Sequence, residues 1–249
     1  MLRTPRALLL DFGGVLADSP PRSPAPPELV ERLARLTDLP ADRITRDLID
    51  GDRAYAAWRD DESDREEPVE LPHAQVWARF FTGGWPPAAA AAVAREATPL
   101  AYVWTWRDAW AVRPGIPEAL AAAARAGLPL AVVSNTTCGA AHRDFLAAAD
   151  LDGFFAAQLY SDEAGPRKPN PELARRAAHA VDVPTGECWF VGDSRHRDVA
   201  CARRAGIGAA VLMRSPRTDR EPAAPDLEPD ALVEDGHGLL TLLRDAGLA

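Results

Sequence analysis

The chain has 249 residues, 47% of them hydrophobic, and a formal net charge of −9 at pH 7. This length supplies a substantial core for one domain with a modest insertion. The acidic balance argues against nucleic acid and anionic membranes as partners, and no apolar stretch approaches the roughly 18 residues of a membrane-spanning helix. Three cysteines cannot form a full disulfide framework, so we expect a cytoplasmic protein.

The first predicted element is a buried strand that ends at an acidic residue. The apolar run Ala7–Leu10 is followed by Asp11, and Gly13 and Gly14 then permit a tight turn. A short run of this kind is typical of a strand that is buried on both faces of a parallel sheet. We therefore expect the strand to place the carboxylate of Asp11 at its C-terminal tip.

A helical insertion is predicted over residues 18–111, which divides the chain into this segment and a second domain of residues 1–17 and 112–249. Helices are expected at 28–37, 41–59, 73–81 and 88–97, with an acidic break at 60–70. Six of the seven tryptophans lie in the insertion, and we expect them to form its own core. Trp85 is the one that we expect to be exposed on a loop, because paired glycines and prolines flank it.

The second buried strand, Leu128–Val133, follows a predicted helix at 117–126 and ends at Ser134 and Asn135. The third, Cys188–Gly192, ends at Asp193, and Asp198 comes five residues later. Parallel sheets bind ligands outside the carboxyl ends of their strands. These polar side chains are therefore predicted to meet Asp11 in one site. A further strand at 207–213, a surface loop at 215–229 and a last helix at 238–246 complete the chain.

All but one of the 28 basic residues are arginine, and the exception is Lys168. A lysine ammonium is a compact charge on a flexible stem, which can reach a phosphate or carboxylate where a planar arginine fork does not fit. Pro169 and Pro171 are typical of a helix start, which would fix the base of the lysine. The sequence therefore indicates Lys168 as a functional residue.

These motifs, in this order, resemble the haloacid dehalogenase-like superfamily of hydrolases. They are an aspartate-tipped strand, a Ser-Asn-tipped strand, a Lys-Pro before a helix, and Gly-Asp-Ser-x-x-x-Asp. The resemblance covers most of the chain apart from about residues 18–111. It implies an α/β fold, in which a Rossmann-like parallel sheet is flanked by helices and an inserted α-helical cap closes over the active site.

The resemblance also implies roles for individual residues. Asp11 matches the nucleophile that becomes an aspartyl-phosphate. Ser134 and Asn135 match residues that bind the phosphoryl group, and Lys168 matches the cation between nucleophile and phosphate. The catalytic residues are then Asp11, Ser134 and Lys168. The implied ligands of Mg²⁺ are Asp11, the backbone carbonyl of Gly13, Asp193 and Asp198.

The residue types support this chemistry without the family. A carboxylate and a phosphate dianion repel one another, so a cation is needed between them, and Mg²⁺ favours oxygen ligands. Helix capping is the alternative role for Asp193 and Asp198, but Asp11 and Lys168 need such partners. We therefore predict a Mg²⁺-dependent phosphomonoester hydrolase that acts on a small phosphorylated metabolite. A tryptophan-rich face of the insertion could support a homodimer.

Gly13 departs from the pattern of the superfamily's phosphatases. They usually carry a second aspartate at this position, which protonates the leaving group, and such help is worth about 10²–10⁴-fold in rate. The proton donor could come from elsewhere, and His196 is a candidate. The chain could also be a slow phosphatase for good leaving groups, or a protein that binds phosphate without turnover.

A 2-haloacid dehalogenase is the competing interpretation, because a departing halide needs no proton. That branch of the superfamily also lacks the second aspartate, but it works without a metal. It would have little reason to hold both Asp193 and Asp198. A phosphomutase ranks lower, because it needs the missing acid.

Overall fold

The computed structural model describes residues 2–18, 23–222 and 224–248. Six strands form one parallel sheet in the order β5-β4-β1-β6-β7-β8, and two short strands, β2 and β3, form an antiparallel pair. The strands are β1 (Ala7–Leu10), β2 (Ala17–Asp18), β3 (Ala111–Val112), β4 (Leu130–Ser134), β5 (Phe155–Tyr160), β6 (Cys188–Gly192), β7 (Ala209–Met213) and β8 (Ala231–Val233). This is the predicted α/β class with a Rossmann-like parallel sheet.

Helices occupy the insertion and both faces of the sheet. Those of the insertion are α1 (Pro27–Thr37), α2 (Ala41–Ser63), α3 (His73–Val76, continued by a π-helical turn Trp77–Phe81), α4 (Pro87–Arg95) and α5 (Ala97–Thr105). Those around the sheet are α6 (Ile116–Arg125), α7 (Gly139–Ala148), α8 (Ser161–Ala164), α9 (Pro171–Ala180), α10 (Ala200–Ala205, preceded by a π-helical turn Arg195–Val199) and α11 (Gly236–Asp245). Helix α2 runs four residues beyond the predicted end at 59, so the acidic break begins later than expected.

The central strand β1 is buried on both faces, which explains its continuous apolar run. Leu8 and Leu10 pack into one hydrophobic cluster with α6 and α11, while Ala7 and Leu9 pack into a second cluster with α9 and α10. Side chains alternate between the two faces of a strand, so a strand covered by helices on both sides needs apolar residues at every position.

The insertion has a hydrophobic cluster of its own, which includes four of its tryptophans: Trp58, Trp77, Trp85 and Trp104. The expectation that all six form this core is wrong for Trp106 and Trp110, which pack against a cluster of the sheet. Trp85 lies on a loop, as expected, but the expectation that it is exposed there is wrong. Its side chain is buried, and its Nε1 donates to Oδ2 of Asp47 at 2.6 Å. A buried indole needs such a partner, and the carboxylate on α2 supplies it.

The antiparallel pair of β2 and β3 lies where the chain enters and leaves the insertion, with Ala17 opposite Val112 and Asp18 opposite Ala111. The predicted domain boundaries fall within this ribbon, while residues 1, 19–22, 223 and 249 of the two predicted segments lie outside the described residues. Among the described helices, none combines the length and the apolar character needed to cross a bilayer. The three cysteines are free and buried.

Candidate active site

The sheet order brings three polar side chains to one edge. Strand β1 lies between β4 and β6, and these neighbouring strands end at or just before Asp11, Ser134 and Asp193. The chain continues from β1 toward β4 on one side and later joins β6 on the other, which creates the crevice where such sheets bind ligands. A cavity of about 310 Å³ opens there and is lined by all three residues.

Lys168 lies at the centre of this site. Its Nζ is 2.9 Å from Oδ1 of Asp11 and 2.7 Å from Oδ1 of Asp198, and its side chain is only 1% exposed. Burial alone would lower the pKa of this ammonium, but the two carboxylates outweigh burial and raise the pKa. Lys168 is therefore charged and held between two acids.

The loop that carries Lys168 is fixed by Asn135. The side-chain amide of Asn135 donates from Nδ2 to the carbonyl of Lys168 at 2.8 Å, and its Oδ1 accepts from the Lys168 N–H at 2.7 Å. Asn170 then caps α9, because its side chain accepts from the N–H of Glu172. Asn135 thus lines the cavity and positions the lysine at the same time; its contact with phosphate stays a prediction.

Asp193 and Asp198 lie close together at the turn after β6, where main-chain N–H groups hold the carboxylate of Asp198. Oδ2 of Asp198 accepts from the N–H groups of Asp193 at 2.9 Å and Ser194 at 3.0 Å. Burial raises the pKa of Asp193 to about 7, despite the guanidinium of Arg217 nearby. One oxygen each of Asp11, Asp193 and Asp198 lie within 4.8 Å of one another. The structure therefore gathers three carboxylates around one point.

The paired glycines after Asp11 have different surroundings. Gly14 has a φ of 75°, and a Cβ there would lie 2.1 Å from Oδ2 of Asp193, so both the backbone and the close approach require glycine. A Cβ on Gly13 would meet no atom within 4 Å. Gly14 is needed to seat Asp193, whereas Gly13 leaves space beside Asp11.

The segment after β7 belongs to the site, so the expectation that residues 215–229 form a surface loop throughout is wrong. Ser215 and Thr218 are buried; Ser215 donates from Oγ to Oδ2 of Asp193 at 2.7 Å, and Thr218 donates to the Asp193 carbonyl at 2.6 Å. Nε of Arg217 lies 3.4 Å from Oδ1 of the same aspartate. Their sequence signal was a run of polar residues directly after a strand of the same parallel sheet.

The insertion reaches the cavity at three places, one of which is the end of α5 with Thr105, Arg107 and Trp110. Helix α2 contributes Tyr55 and Arg59 to the lining. The segment after α2 contributes Glu70, whose carboxylate accepts from Arg167 at 3.3 Å and from Ser161 Oγ at 2.8 Å. Glu70 and Arg167 are both buried, and main-chain hydrogen bonds join Glu70 to Gly165 and Pro68 to Arg167. The insertion is therefore attached to the loop that holds Lys168.

A second arginine, Arg197, connects the turn after β6 to the insertion. It donates to Oδ1 of Asp60 at 2.9 Å and to Ser63 Oγ at 3.2 Å. Burial and repulsion from three neighbouring guanidinium groups lower the pKa of Arg197 to about 10. It stays charged at neutral pH, so the cavity has a marked basic side.

The two histidines near the site differ in position. Among the described residues, His196 does not line the cavity, so the structure gives no support to its role as a substitute acid. His142 lines the cavity and its ring stacks on Phe12 at 3.9 Å between centroids. Burial lowers the pKa of His142 to about 3, which keeps this ring neutral.

Comparison with known proteins agrees with this geometry. Residues 5–206 match the family model of haloacid dehalogenase-like hydrolases. The chain is 40% identical over 124 residues to a phosphoserine phosphatase of Thermus thermophilus, and the matched stretch covers 49% of each chain. It is 37% identical over 138 residues to a plasmid-encoded phosphoglycolate phosphatase of Cupriavidus necator, covering 55% of this chain and 58% of the relative. The chain thus spans about half the length of the curated relatives it matches.

Solved structures extend the similarity to the fold of nearly the whole chain. A 2-haloacid dehalogenase of Pseudomonas syringae superimposes with a TM-score of 0.64 at 18% identity, covering 98% of this chain and 99% of the other. Identity at this level establishes the fold alone. Because the family model matches most of the sequence and the sheet edge carries the expected residues, the chain belongs to the haloacid dehalogenase-like hydrolase family.

Proposed function

We propose that the chain is a Mg²⁺-dependent phosphomonoester hydrolase that acts through an aspartyl-phosphate on Asp11. The observation that carries the proposal is the position of Lys168, whose Nζ contacts carboxylate oxygens of both Asp11 and Asp198. A buried cation beside the nucleophile lowers the repulsion that an incoming phosphate dianion would meet. The phosphatase names of the two relatives support the same activity.

The carboxylates at the sheet edge fit a magnesium ion. They form an all-oxygen donor set with ligand atoms within 4.8 Å, and Mg²⁺ prefers such hard ligands. The raised pKa of Asp193 reflects burial first and the other two acids as well, a crowding that a divalent cation would relieve. When bound, the ion would supply positive charge to the phosphate oxygens. We propose as its ligands Asp11, the carbonyl of Gly13, Asp193 and Asp198.

In the proposed reaction, a carboxylate oxygen of Asp11 attacks phosphorus, and the bond from phosphorus to the ester oxygen breaks. Lys168 and the hydroxyl of Ser134 bind the transferring phosphoryl group, with Asn135 beside them. The departing oxygen takes a proton from water, because Gly13 has none to give. Water then attacks phosphorus, which releases inorganic phosphate and restores Asp11.

We also propose that residues 18–111 act as a cap over a catalytic core of residues 1–17 and 112–249. Support comes from the cavity, whose lining includes Tyr55 and Arg59 of the insertion together with Asp11 of the core. Such a cap would exclude bulk water from the aspartyl-phosphate and select the substrate, which we propose is a small phosphorylated metabolite. The cytoplasmic location and the homodimer stay predictions from the sequence.

Gly13 is the one observation that favours a different function. The absence of an acid at this position would suit a dehalogenase, in which the carboxylate of Asp11 displaces a halide that leaves without a proton. A protein that binds phosphate without turnover would also tolerate the glycine. Both alternatives leave the charged arrangement around Asp193 and Asp198 without a catalytic use, so we favour the phosphatase.

The test is release of phosphate from p-nitrophenyl phosphate with Mg²⁺ and with EDTA. We expect release with the metal, loss of release with EDTA, and no release by Asp11→Asn, because an amide is a poor nucleophile. The matched control is Asp50→Asn on the exposed side of α2, where the aspartate pairs with Arg53 and is 74% exposed; it should retain the wild-type rate.

Three results would contradict the proposal. Phosphate release that survives in Asp11→Asn would exclude this nucleophile. A wild-type protein that does not hydrolyse this activated ester, but releases chloride from 2-chloropropionate in EDTA, would be a dehalogenase. A protein that does neither, yet binds inorganic phosphate, would be a binding protein.

A further inference from the structure

Among the residues that the structure describes, basic side chains outnumber acidic ones around the cavity. Five acidic side chains line it: Asp11, Asp52, Glu70, Asp193 and Asp198. Six basic side chains line it: Arg59, Arg107, Arg167, Lys168, Arg197 and Arg217. The excess is one positive charge, which a divalent cation would raise to three. The dianion of a phosphate monoester offsets two of these, so one positive charge is left for another part of the substrate.

Four of the six basic groups already have local partners. Lys168 lies between two carboxylates, and Arg167 and Arg217 each pair with one. Arg107 donates to main-chain carbonyls at the end of α5. These side chains hold the site together, and the proposed phosphoryl transfer uses the lysine. Arg59 has no carboxylate partner among the described residues, and Arg197 pairs with Asp60, an exposed acid that is not among the described cavity-lining residues.

Arg59 has no carboxylate partner within ion-pair distance among the described residues. Its guanidinium lies over the ring of Tyr55, 4.9 Å from the centroid, and its Nε is buried without a hydrogen-bond partner in the part of the chain that the structure describes. Arg59 nevertheless lines the cavity. It is therefore a cavity-lining cation that no carboxylate in the described part of the chain holds in an ion pair.

Arg197 approaches the same cavity from the core side. Its carboxylate partner, Asp60, is 74% exposed, and pairs with so exposed an acid contribute little because water screens them. An acidic ligand in the cavity could therefore compete for this guanidinium. Ser63, which accepts from its Nε, is one helical turn beyond Arg59 on α2, so both arginines act at the same stretch of the insertion.

We propose that Arg59 and Arg197 bind a second acidic group of the substrate, separate from the phosphate that is transferred. The substrate class is then a phosphorylated acid, and this inference rests on the proposed function. Guanidinium groups bind carboxylates and phosphates through paired, charge-assisted hydrogen bonds. One uncompensated positive charge matches a carboxylate better than a second phosphate dianion.

The experiment compares substrates that differ only in the second group. In one arm, kcat/KM is measured for 3-phosphoglycerate and for glycerol 3-phosphate, which has a hydroxymethyl group in place of the carboxylate. In the other arm, fructose 1,6-bisphosphate is compared with fructose 1-phosphate. We expect the carboxylate to raise kcat/KM about 10- to 100-fold, the usual strength of a hydrogen bond to a charged group. A larger effect in the bisphosphate arm would identify the second group as a phosphate.

In Arg59→Gln, the two substrates of the arm with the larger effect should have nearly equal kcat/KM values. Glutamine keeps a polar side chain at this position but removes the charge. The matched control is Arg53→Gln on the same helix, where the arginine is 77% exposed and pairs with Asp50; it should keep the wild-type ratio. Far-UV circular dichroism and thermal unfolding verify that both variants are folded. A wild-type ratio near one in both arms, or a ratio that Arg59→Gln leaves intact, would overturn the inference.

A binding measurement separates this inference from the proposed function. Calorimetric titration of Asp11→Asn with 3-phosphoglycerate and glycerol 3-phosphate, in Mg²⁺, reports affinity without turnover. Tighter binding of the acid that disappears in the Asp11→Asn, Arg59→Gln double variant supports the second subsite even if the wild type hydrolyses nothing. Equal affinities beside normal hydrolysis refute the subsite and leave the phosphatase intact.

Discussion

The turn after β6 at the sheet edge and the helical insertion make their contacts at the cavity over very different distances along the chain. At the sheet edge, the N–H of Asp193 donates to a carboxylate only five residues away. In the insertion, Glu70 finds its guanidinium partner 97 residues away, on the loop that carries Lys168. The turn that carries Asp193 and Asp198 is therefore fixed by a short motif, whereas the contact between the insertion and the lysine loop depends on how two regions pack.

The largest effect is expected from the sheet edge, at Lys168. Lys168→Met removes the cation between Asp11 and Asp198, so phosphate release should fall about 10³-fold, the upper range for loss of one electrostatic contact in an active site. Lys168→Arg should recover little of this, because the pocket encloses the side chain almost completely and a planar fork differs in shape from an ammonium.

The measurement is kcat for p-nitrophenyl phosphate with saturating Mg²⁺. Circular dichroism serves as the check that each Lys168 variant is folded. If Lys168→Arg turns over at the wild-type rate, charge alone is sufficient at this position and the argument from the single lysine is wrong.

The next largest effect is expected where the insertion contacts the loop that carries Lys168. Glu70→Gln leaves Arg167 as a buried cation without its carboxylate, and breaking a buried pair in this way costs about 3 kcal/mol of unfolding free energy or more. The exposed pair of Arg53 and Asp50 is the comparison, since Asp50→Asn should cost no more than about 0.5 kcal/mol. Urea unfolding at pH 7 measures both.

Replacement of both partners refines the test at this junction. Glu70→Leu with Arg167→Met removes the charges together, so it should be less destabilising than Glu70→Gln. If Glu70→Gln unfolds at the wild-type urea concentration, the insertion is not held to the lysine loop by this pair, and the two regions are less closely connected than the contacts indicate.

Much of the sheet edge could be predicted from the sequence, because each strand and the polar residue at its end form one local motif. The strands of Asp11, Ser134 and Asp193 are apolar runs that end in polar residues, and parallel pairing alone brings their ends together. The convergence of these residues with Lys168 is confirmed by the structure, while their catalytic roles stay predictions. The positions of α1 to α4 were also predicted to within a few residues at most ends, whereas α5 was not predicted.

Features that depend on tertiary packing could not be predicted in this way. Trp85 is buried because a carboxylate 38 residues earlier accepts its indole N–H, and no local pattern encodes that partner. Ser215 and Arg217 reach Asp193 because the loop after β7 turns back over the sheet edge. A run of polar residues indicates a loop, but the direction of that loop is determined by contacts that the sequence does not display.

A gain of activity can be sought at Gly13, where the sheet edge lacks the expected acid. Since a Cβ there would meet no atom within 4 Å, Gly13→Asp should be accommodated and should offer a proton to the leaving group. We expect turnover of an alkyl phosphate such as glycerol 3-phosphate to rise about 10²-fold, the lower range for general acid catalysis.

Gly13→Asn is the matched control for that gain, because it has nearly the same shape and no acid. The gain should be smaller for p-nitrophenyl phosphate, whose leaving group barely needs a proton. An equal rise for both esters, or an equal rise in Gly13→Asn, would show that the effect does not come from proton donation.

The smallest effect concerns His142, which packs between the sheet edge and the insertion. Burial lowers its pKa to about 3, and the surrounding charges are Asp162, which opposes the shift, and Arg107, Arg143 and Lys168, which add to it. The unfolded chain takes up a proton on this histidine near pH 6.5 while the folded chain does not, so stability is lost as the pH falls below about 6.5 and down to the folded pKa.

His142→Phe retains an aromatic ring against Phe12 and removes this proton uptake. Between pH 7 and pH 5 the wild type should therefore lose about 1–2 kcal/mol more unfolding free energy than the variant. His179→Phe, at an exposed position of α9, is the control and should follow the wild-type pH dependence. Because the comparison uses the change between two pH values, any constant packing difference in His142→Phe cancels. Parallel pH profiles for the wild type and His142→Phe would mean that this ring is protonated in the folded state as readily as in water, and that water reaches the space between the sheet edge and the insertion.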